Sequence, residues 1–245
     1  MNRKFLPALL VAVLSVVFFS CKKETDDKFK GDYSRAYFPM EIGRFVTYDV
    51  DSTLWDDFKQ VKSIHKYQMR YIIADTFTDN QGRPSYRLDV LLRKGDTLPW
   101  NQHRVLYVTE TENHLEWVEN NLRFIKLVFP IANDVQWKGN SMIPVLDQQY
   151  QYFQDWTYRY ENFEQPFNHN KARFDNTVTV MQIDEELNNP ETMPDAYAYK
   201  TYGKEVYAYD IGMVYREITR WEYQPAQPNK FRRGYQVVMK AIDHN

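Results

Sequence analysis

The feature that most constrains the fold of this chain is a regular alternation of apolar and polar residues. In residues 67–73, apolar or aromatic side chains occupy every second position, and Gln68 and Arg70 lie between them. The same pattern returns in residues 86–92, after the turn-forming sequence DNQG at residues 79–82. A period of two places successive side chains on opposite faces of a strand, so the two segments predict a β-hairpin with one buried face.

Similar short segments recur along the chain and predict a single domain of about nine or ten strands. They lie at residues 46–50, 105–111, 115–118, 122–129, 156–160, 177–183, 213–223 and 235–242. No long apolar stripe at helical spacing is present, and only residues 148–155 and 194–204 are candidates for a turn or two of helix. We therefore predict a mainly β fold, a curved antiparallel sheet or incomplete β-barrel with one or two short helices.

The N-terminus carries the features of an export signal. Arg3 and Lys4 precede an apolar run at residues 5–19, which is too short to span a bilayer comfortably. Cys21, the only cysteine of the chain, directly follows the small residue Ser20. This arrangement resembles the signal of bacterial lipoproteins, in which the cysteine is lipidated and becomes the first residue of the mature chain. The resemblance implies that Cys21 is the site of lipid attachment.

These features divide the chain into three predicted parts: a signal peptide at 1–20, a lipid anchor with a flexible tether at 21–36, and a β-rich globular domain at 37–245. The tether is charged and has few apolar residues, so it cannot bury enough surface to order itself. The acidic residues Glu24, Asp26 and Asp27 resemble the signal that sends some Bacteroidota lipoproteins to the cell surface. We expect an outer-membrane lipoprotein held by its N-terminal lipid, with the cell surface favoured over the periplasmic face.

Charge and residue content argue against several classes of function. The formal net charge is −2 and no basic stripe is present, so a nucleic-acid partner is not expected. The single cysteine cannot form a metal cluster, and the histidines lack ligand spacing, so no metal site is expected. Phosphate-binding glycine motifs and a nucleophile elbow are missing from the sequence, so neither a cofactor nor catalytic residues are predicted.

Aromatic residues make up 16% of the chain and provide the candidate binding residues. Trp156, Tyr158 and Tyr160 fall on one face of a predicted strand, and polar side chains alternate with them. This pattern favours a packed inner face. The nearby Gln151 and Gln154 leave open a second interpretation, in which the three aromatic side chains form a ligand-binding surface for a sugar or another partner.

Four sequence blocks carry a family resemblance. They are YFPMEIGRFVTYDVDSTLWDDF from Tyr37, KLVFPIANDVQWKGN from Lys126, FDNTVTVMQIDEEL from Phe174 and KEVYAYDIGMVYREITRWEY from Lys204. These blocks resemble those of a family of uncharacterised Bacteroidota lipoproteins, which has no assigned activity. The YAYDIGMVYRE part also resembles the late strands of half-barrel envelope proteins that shuttle or sense lipids.

Three functions remain open on the sequence. The first is a non-catalytic envelope lipoprotein that acts as an interaction or ligand-binding module, with an envelope protein or a glycan as its partner. The alternative is a carrier or sensor of an apolar ligand in the concavity of a half-barrel. The third is a hydrolase whose carboxylate pair converges only in three dimensions. A non-catalytic role is favoured because no catalytic motif is recognisable, although enzymatic activity is left open.

Overall fold

The computed structural model of the chain describes residues 33–225 and 230–245. The predicted signal peptide, the lipidation site at Cys21 and the tether as far as residue 32 lie outside the described residues. The fold presented below belongs to the compact unit Ser34–Asn245. Within the described ranges, no helix is both long enough and apolar enough to cross a membrane.

The described residues form one antiparallel sheet of twelve strands. The strands are β1 Phe45–Asp56, β2 Val61–Thr78, β3 Pro84–Arg93, β4 Asn101–Glu110, β5 His114–Glu119, β6 Leu122–Val128, β7 Gln136–Trp137, β8 Tyr158–His169, β9 Ala172–Leu187, β10 Ala198–Ala208, β11 Gly212–Gln224 and β12 Phe231–His244. Their order in the sheet is β6-β5-β4-β3-β2-β1-β12-β11-β10-β9-β8-β7. Two six-stranded meanders are therefore joined edge to edge by the pairing of β1 with β12.

This architecture confirms the predicted mainly β fold and corrects the number of strands. The two strands that were not predicted are β7 and β10. Strand β7 has only two residues, which is too short to show a period. Residues 194–204 were a candidate for a turn or two of helix, and this expectation is wrong: residues 194–197 form a turn and strand β10 begins at Ala198. Charged side chains at Lys200 and Lys204 mask the alternation there, while pairing with β9 and β11 on both sides fixes the strand.

The predicted hairpin at residues 67–92 is confirmed as the pair β2–β3. Tyr71 lies opposite Val90, and Ile73 lies opposite Leu88. All four of these side chains are buried, whereas Arg87 on the other face of β3 is partly exposed. One face of the hairpin therefore packs into the interior and the other faces solvent, as the period of two requires.

The sheet curls until its two ends approach each other, which gives a nearly closed barrel. The Ile125 N–H donates to the Gly139 carbonyl oxygen (2.8 Å), and the Trp137 indole N–H donates to the Ile125 carbonyl oxygen (2.8 Å). The Tyr160 hydroxyl accepts from the Val128 N–H (2.7 Å) and donates to the Val128 carbonyl oxygen (2.8 Å). We call this contact between β6 and the β7–β8 region the seam.

Replacing Tyr160 by phenylalanine tests the seam. Tyr160→Phe leaves both backbone groups of Val128 without their partner in a largely buried position, so we expect a loss of about 1–3 kcal/mol in the free energy of unfolding. Urea denaturation measures this difference. Tyr107 is 42% exposed, and the matched change Tyr107→Phe should cost less than about 0.5 kcal/mol. Equal losses in the two variants would show that the seam does not depend on the Tyr160 hydroxyl.

One end of the barrel is closed by the segment that precedes β1. A 3₁₀ helix, Tyr33–Tyr37, leads into Phe38, whose ring centroid lies 5.8 Å from that of Trp117 and 6.4 Å from that of Tyr207. The Ser34 hydroxyl accepts from the Ile131 N–H (2.9 Å). Ser34 belongs to the range assigned to the tether, so the folded domain begins a few residues before the predicted boundary at 37. A second 3₁₀ helix, Gln151–Phe153, lies between β7 and β8.

Candidate functional site

The interior of the barrel contains a cavity of about 350 Å³, within the usual size range of small-molecule sites. Arg44, directly before β1, forms an ion pair with Asp210, and the Asp210 N–H donates to the Ala36 carbonyl oxygen (2.7 Å) in the segment that closes the barrel. The first residues of β1 therefore lie at the closed end. Tyr235 lines the cavity and pairs with Leu54, near the other end of β1. Tyr235 is also exposed, so the cavity opens at the end of the barrel opposite the first 3₁₀ helix, Tyr33–Tyr37.

Most of the cavity wall is apolar or aromatic. Side chains from five strands and from the second 3₁₀ helix contribute to this surface: Met69, Leu122, Phe124, Phe153, Tyr158, Ile218, Val237 and Met239. Trp156, which directly precedes β8, adds its indole ring. These residues face inward because each strand places every second side chain in the barrel, so Val237 lines the cavity while Val238 points away from it.

Charged side chains line the inner part of the same cavity. Glu119, at the end of β5, is buried between two arginines, one on the neighbouring strand β4 and one on the distant strand β11. Its Oε1 lies 2.9 Å from Nη1 of Arg104, and its Oε2 accepts from Nη1 of Arg216 at 3.2 Å. A carboxylate in the interior requires partners of this kind, because burial without a counter-charge is costly. The two ion pairs therefore tie β5 to β4 and to β11.

A second buried carboxylate continues the network behind the cavity wall. Glu205 is 0% exposed, and its Oε1 accepts from the ammonium group of Lys126 at 2.6 Å. Its Oε2 accepts from the Tyr207 hydroxyl at 2.8 Å. Nε of Arg216 lies 3.4 Å from Oε1 of Glu205, so Arg216 contacts both carboxylates. Lys126 also lines the cavity, whereas Glu205 lies outside its lining.

The pKa values of both carboxyl groups are lowered. Burial alone would raise the pKa of Glu119, but the charges of Arg216 and Arg104 outweigh it and bring this pKa to about 2. Burial likewise opposes ionisation of Glu205, and the charges of Lys126 and Arg216 lower its pKa all the same. A hydrolase that uses a carboxyl group as general acid needs a raised pKa. This buried pair does not match the pair expected for the hydrolase alternative.

Three buried polar atoms of the cavity lining have no hydrogen-bond partner among the described residues. They are Nε2 of Gln182, Nε of Arg104 and Oγ1 of Thr219, whereas Nε of Arg216 faces Oε1 of Glu205 at 3.4 Å. Gln182 is 1% exposed and reaches into the interior across Gly203, where an added Cβ would lie 2.8 Å from Oε1 of Gln182. Unpaired buried donors are uncommon in folded proteins, and here all three border one cavity.

The structure separates the three aromatic residues that the sequence grouped as candidate binding residues. All three are buried, so their rings do not form an exposed platform for a sugar. Trp156 and Tyr158 line the cavity, whereas Tyr160 lies in the seam. Sequence reasoning missed Glu119, Lys126 and the other buried charges of the network. The only local signal for them was a charged residue at an inward position of an otherwise apolar strand.

Comparison with known proteins adds little to this geometry. No family model matches the chain, and no curated protein matches it. One matching solved structure is a crystal structure from Bacteroides fragilis, provisionally described as an exported protein with a YmcC-like fold. The identity is 12%, the match covers 85% of this chain and 98% of that chain, and the TM-score is 0.37. Agreement of this size carries no argument about function, so the resemblance to Bacteroidota lipoproteins stays a prediction.

Proposed function

We propose that this chain is a non-catalytic ligand-binding protein of the cell envelope that carries or senses a small molecule inside its barrel. The observation that carries the proposal is a cavity of about 350 Å³ with a mostly apolar wall, bordered by buried donors that have no hydrogen-bond partner among the described residues. Folded proteins fill their interiors closely, and open space beside unpaired donors suits a bound molecule. This proposal favours the carrier-or-sensor alternative from the sequence.

The apolar probe N-phenylnaphthylamine tests whether the cavity binds a ligand. We expect saturable enhancement of its fluorescence on the full chain. Val237→Phe places a larger side chain in the cavity and should weaken binding by at least about tenfold. The neighbouring change Val238→Phe adds the same volume on the other face of β12 and should leave the affinity unchanged. Absence of saturable binding, or equal affinity in the two variants, would contradict a binding role for the interior.

The location of the protein is part of the same proposal. The export signal and Cys21 support a lipoprotein of the outer membrane, and an envelope protein or a glycan as a further partner stays a prediction. Cys21→Ser removes the thiol that takes the lipid, so we expect a soluble or uncut precursor in place of the membrane-bound protein. Fractionation followed by a carbonate wash measures this. Recovery of the variant in washed outer membranes would rule out anchoring through Cys21.

A further inference from the structure

The cavity contains more positive than negative charge. Four cationic side chains line it, Arg104, Lys126, Arg216 and Arg220, and Glu119 is the one carboxylate of the lining. With Glu205, which contacts Lys126 and Arg216 from behind the wall, four cations still face two carboxylates. An excess of like charge around a partly enclosed cavity favours the binding of an anion that compensates it.

Arg220 lies nearer the mouth than the other three cations. It lies opposite Tyr235 across β11 and β12, and its guanidinium carbon lies 3.6 Å from the centroid of the Tyr152 ring. Within residues 33–225 and 230–245, no carboxylate forms an ion pair with Arg220, and the ring contact leaves its charge unneutralised. Positive charge therefore extends from the inner end of the cavity to the mouth, where it favours the entry of an anion.

The unpaired groups of the lining can all donate hydrogen bonds. Nε2 of Gln182 and Nε of Arg104 only donate, and the Thr219 hydroxyl can donate as well as accept. An ionised carboxylate only accepts hydrogen bonds and can accept several at once. Charge and hydrogen bonding thus favour the same chemical group, because an ammonium group only donates and adds positive charge, and an alcohol has no charge to balance the excess of cations.

The middle of the cavity has a different character. Ile218 and Val237 lie opposite each other on β11 and β12, and Phe124 and Trp156 also border this part of the lining. These side chains offer no charge, so a bound molecule gains there mainly by removing apolar surface from water. A ligand that uses both regions must combine a charged end with an apolar body.

Building on the proposed binding function, we propose that the ligand is an organic anion with an apolar body, held with its acidic group at the inner end beside Gln182, Arg104 and Arg216. Its apolar part lies along Ile218 and Val237 toward the mouth. Arg220 attracts the anion at the entrance, and Gln182 fixes its position. Gly203 is required because a larger residue there would displace the Gln182 side chain.

Three probes that share one body and differ only in the end group test this inference. They are phenylbutyrate, phenylbutanol and phenylbutylamine, titrated separately into the full chain by calorimetry. We expect phenylbutyrate to bind about tenfold or more tightly than phenylbutanol, because charge-assisted hydrogen bonds are stronger than neutral ones, and phenylbutylamine to bind most weakly. Equal affinity for the acid and the alcohol, or tighter binding of the amine, would overturn the inference.

Gln182→Leu removes an unpaired donor without disturbing an ion pair, so this variant should fold as the parent does. It should weaken phenylbutyrate binding about tenfold and leave phenylbutanol binding unchanged. The exposed Gln102 supplies the control, and Gln102→Leu should change neither affinity. Unchanged phenylbutyrate binding in Gln182→Leu would refute the position given to the acidic group.

The two proposals fail in different ways. If phenylbutanol binds as tightly as phenylbutyrate and Val237→Phe blocks both probes, the interior binds ligands but does not select anions. If none of the probes binds and Val237→Phe has no effect on N-phenylnaphthylamine, neither the binding function nor the anion preference holds.

Discussion

Glu205→Gln is expected to lower the free energy of unfolding by about 3–5 kcal/mol, because it leaves Lys126 buried without its counter-charge. Most of this cost arises because the ammonium group of Lys126 stays buried without a negative charge beside it. Arg216 adds to the cost, because it loses one of the two carboxylates that it contacts. Urea denaturation measures the change. Lys200 and Glu186 form a similar pair at 2.8 Å on the exposed surface, and Glu186→Gln should cost at most about 1 kcal/mol.

A double-mutant cycle separates the two explanations of this cost. In Lys126→Met combined with Glu205→Gln, the ammonium group and its partner carboxylate are removed together, so no charge of the pair is left stranded. We expect the double variant to lose clearly less stability than the sum of the two single variants. Additive losses, or equal losses in Glu205→Gln and Glu186→Gln, would show that the buried network is not under electrostatic constraint.

Trp156→Ala is expected to cost about 3–5 kcal/mol of stability, in line with the truncation of a large buried side chain. Trp156 is 6% exposed, and its ring centroid lies 5.3 Å from that of Phe153, which in turn packs on Phe124 at 5.5 Å. Removing the indole therefore opens the cavity wall and takes away one of the rings that pack on Phe153. Thermal or urea unfolding of the variant gives the measurement.

Phe58 is the control for this change, because its ring is 92% exposed in the turn after β1. Phe58→Ala should cost less than about 0.5 kcal/mol. A Trp156→Ala protein that unfolds like the parent would contradict the packed position of the indole. That result would return Trp156 to the role of an exposed binding residue, which the sequence had left open.

The parts of the fold that could be predicted from sequence are those whose residue pattern lies within one short segment of the chain. The hairpin β2–β3 was predictable because its alternation and its turn at residues 79–82 lie within one short segment. Strand β10 was not predictable in this way, because Lys200, Lys204 and Glu205 interrupt its alternation. Only the strands on either side, β9 and β11, fix its conformation.

The candidate site could not be predicted from the sequence for a related reason. Glu119 and Lys126 look like solvated charges in the sequence, since each lies beside a turn or within a short strand. The burial of Glu119 is explained only when Arg104 of β4 and Arg216 of β11 are placed around it. The burial of Lys126 is explained only by its contact with Glu205 of β10. Trp156 and Tyr158 could be assigned to the interior from their period. That they border a cavity depends on the curvature of the whole sheet.

The order of the strands has a consequence for how the chain acquires its structure during synthesis. Within each meander, every strand finds its partner next to it in the sequence, so those pairings close short loops and can form early. The pairing that unites the two meanders joins the first strand to the last, and it requires the fourteen residues of β12. A chain synthesised from its N-terminus therefore presents an unpaired edge of β1 until β12 has been made. During that interval, β1 needs protection from pairing with other chains.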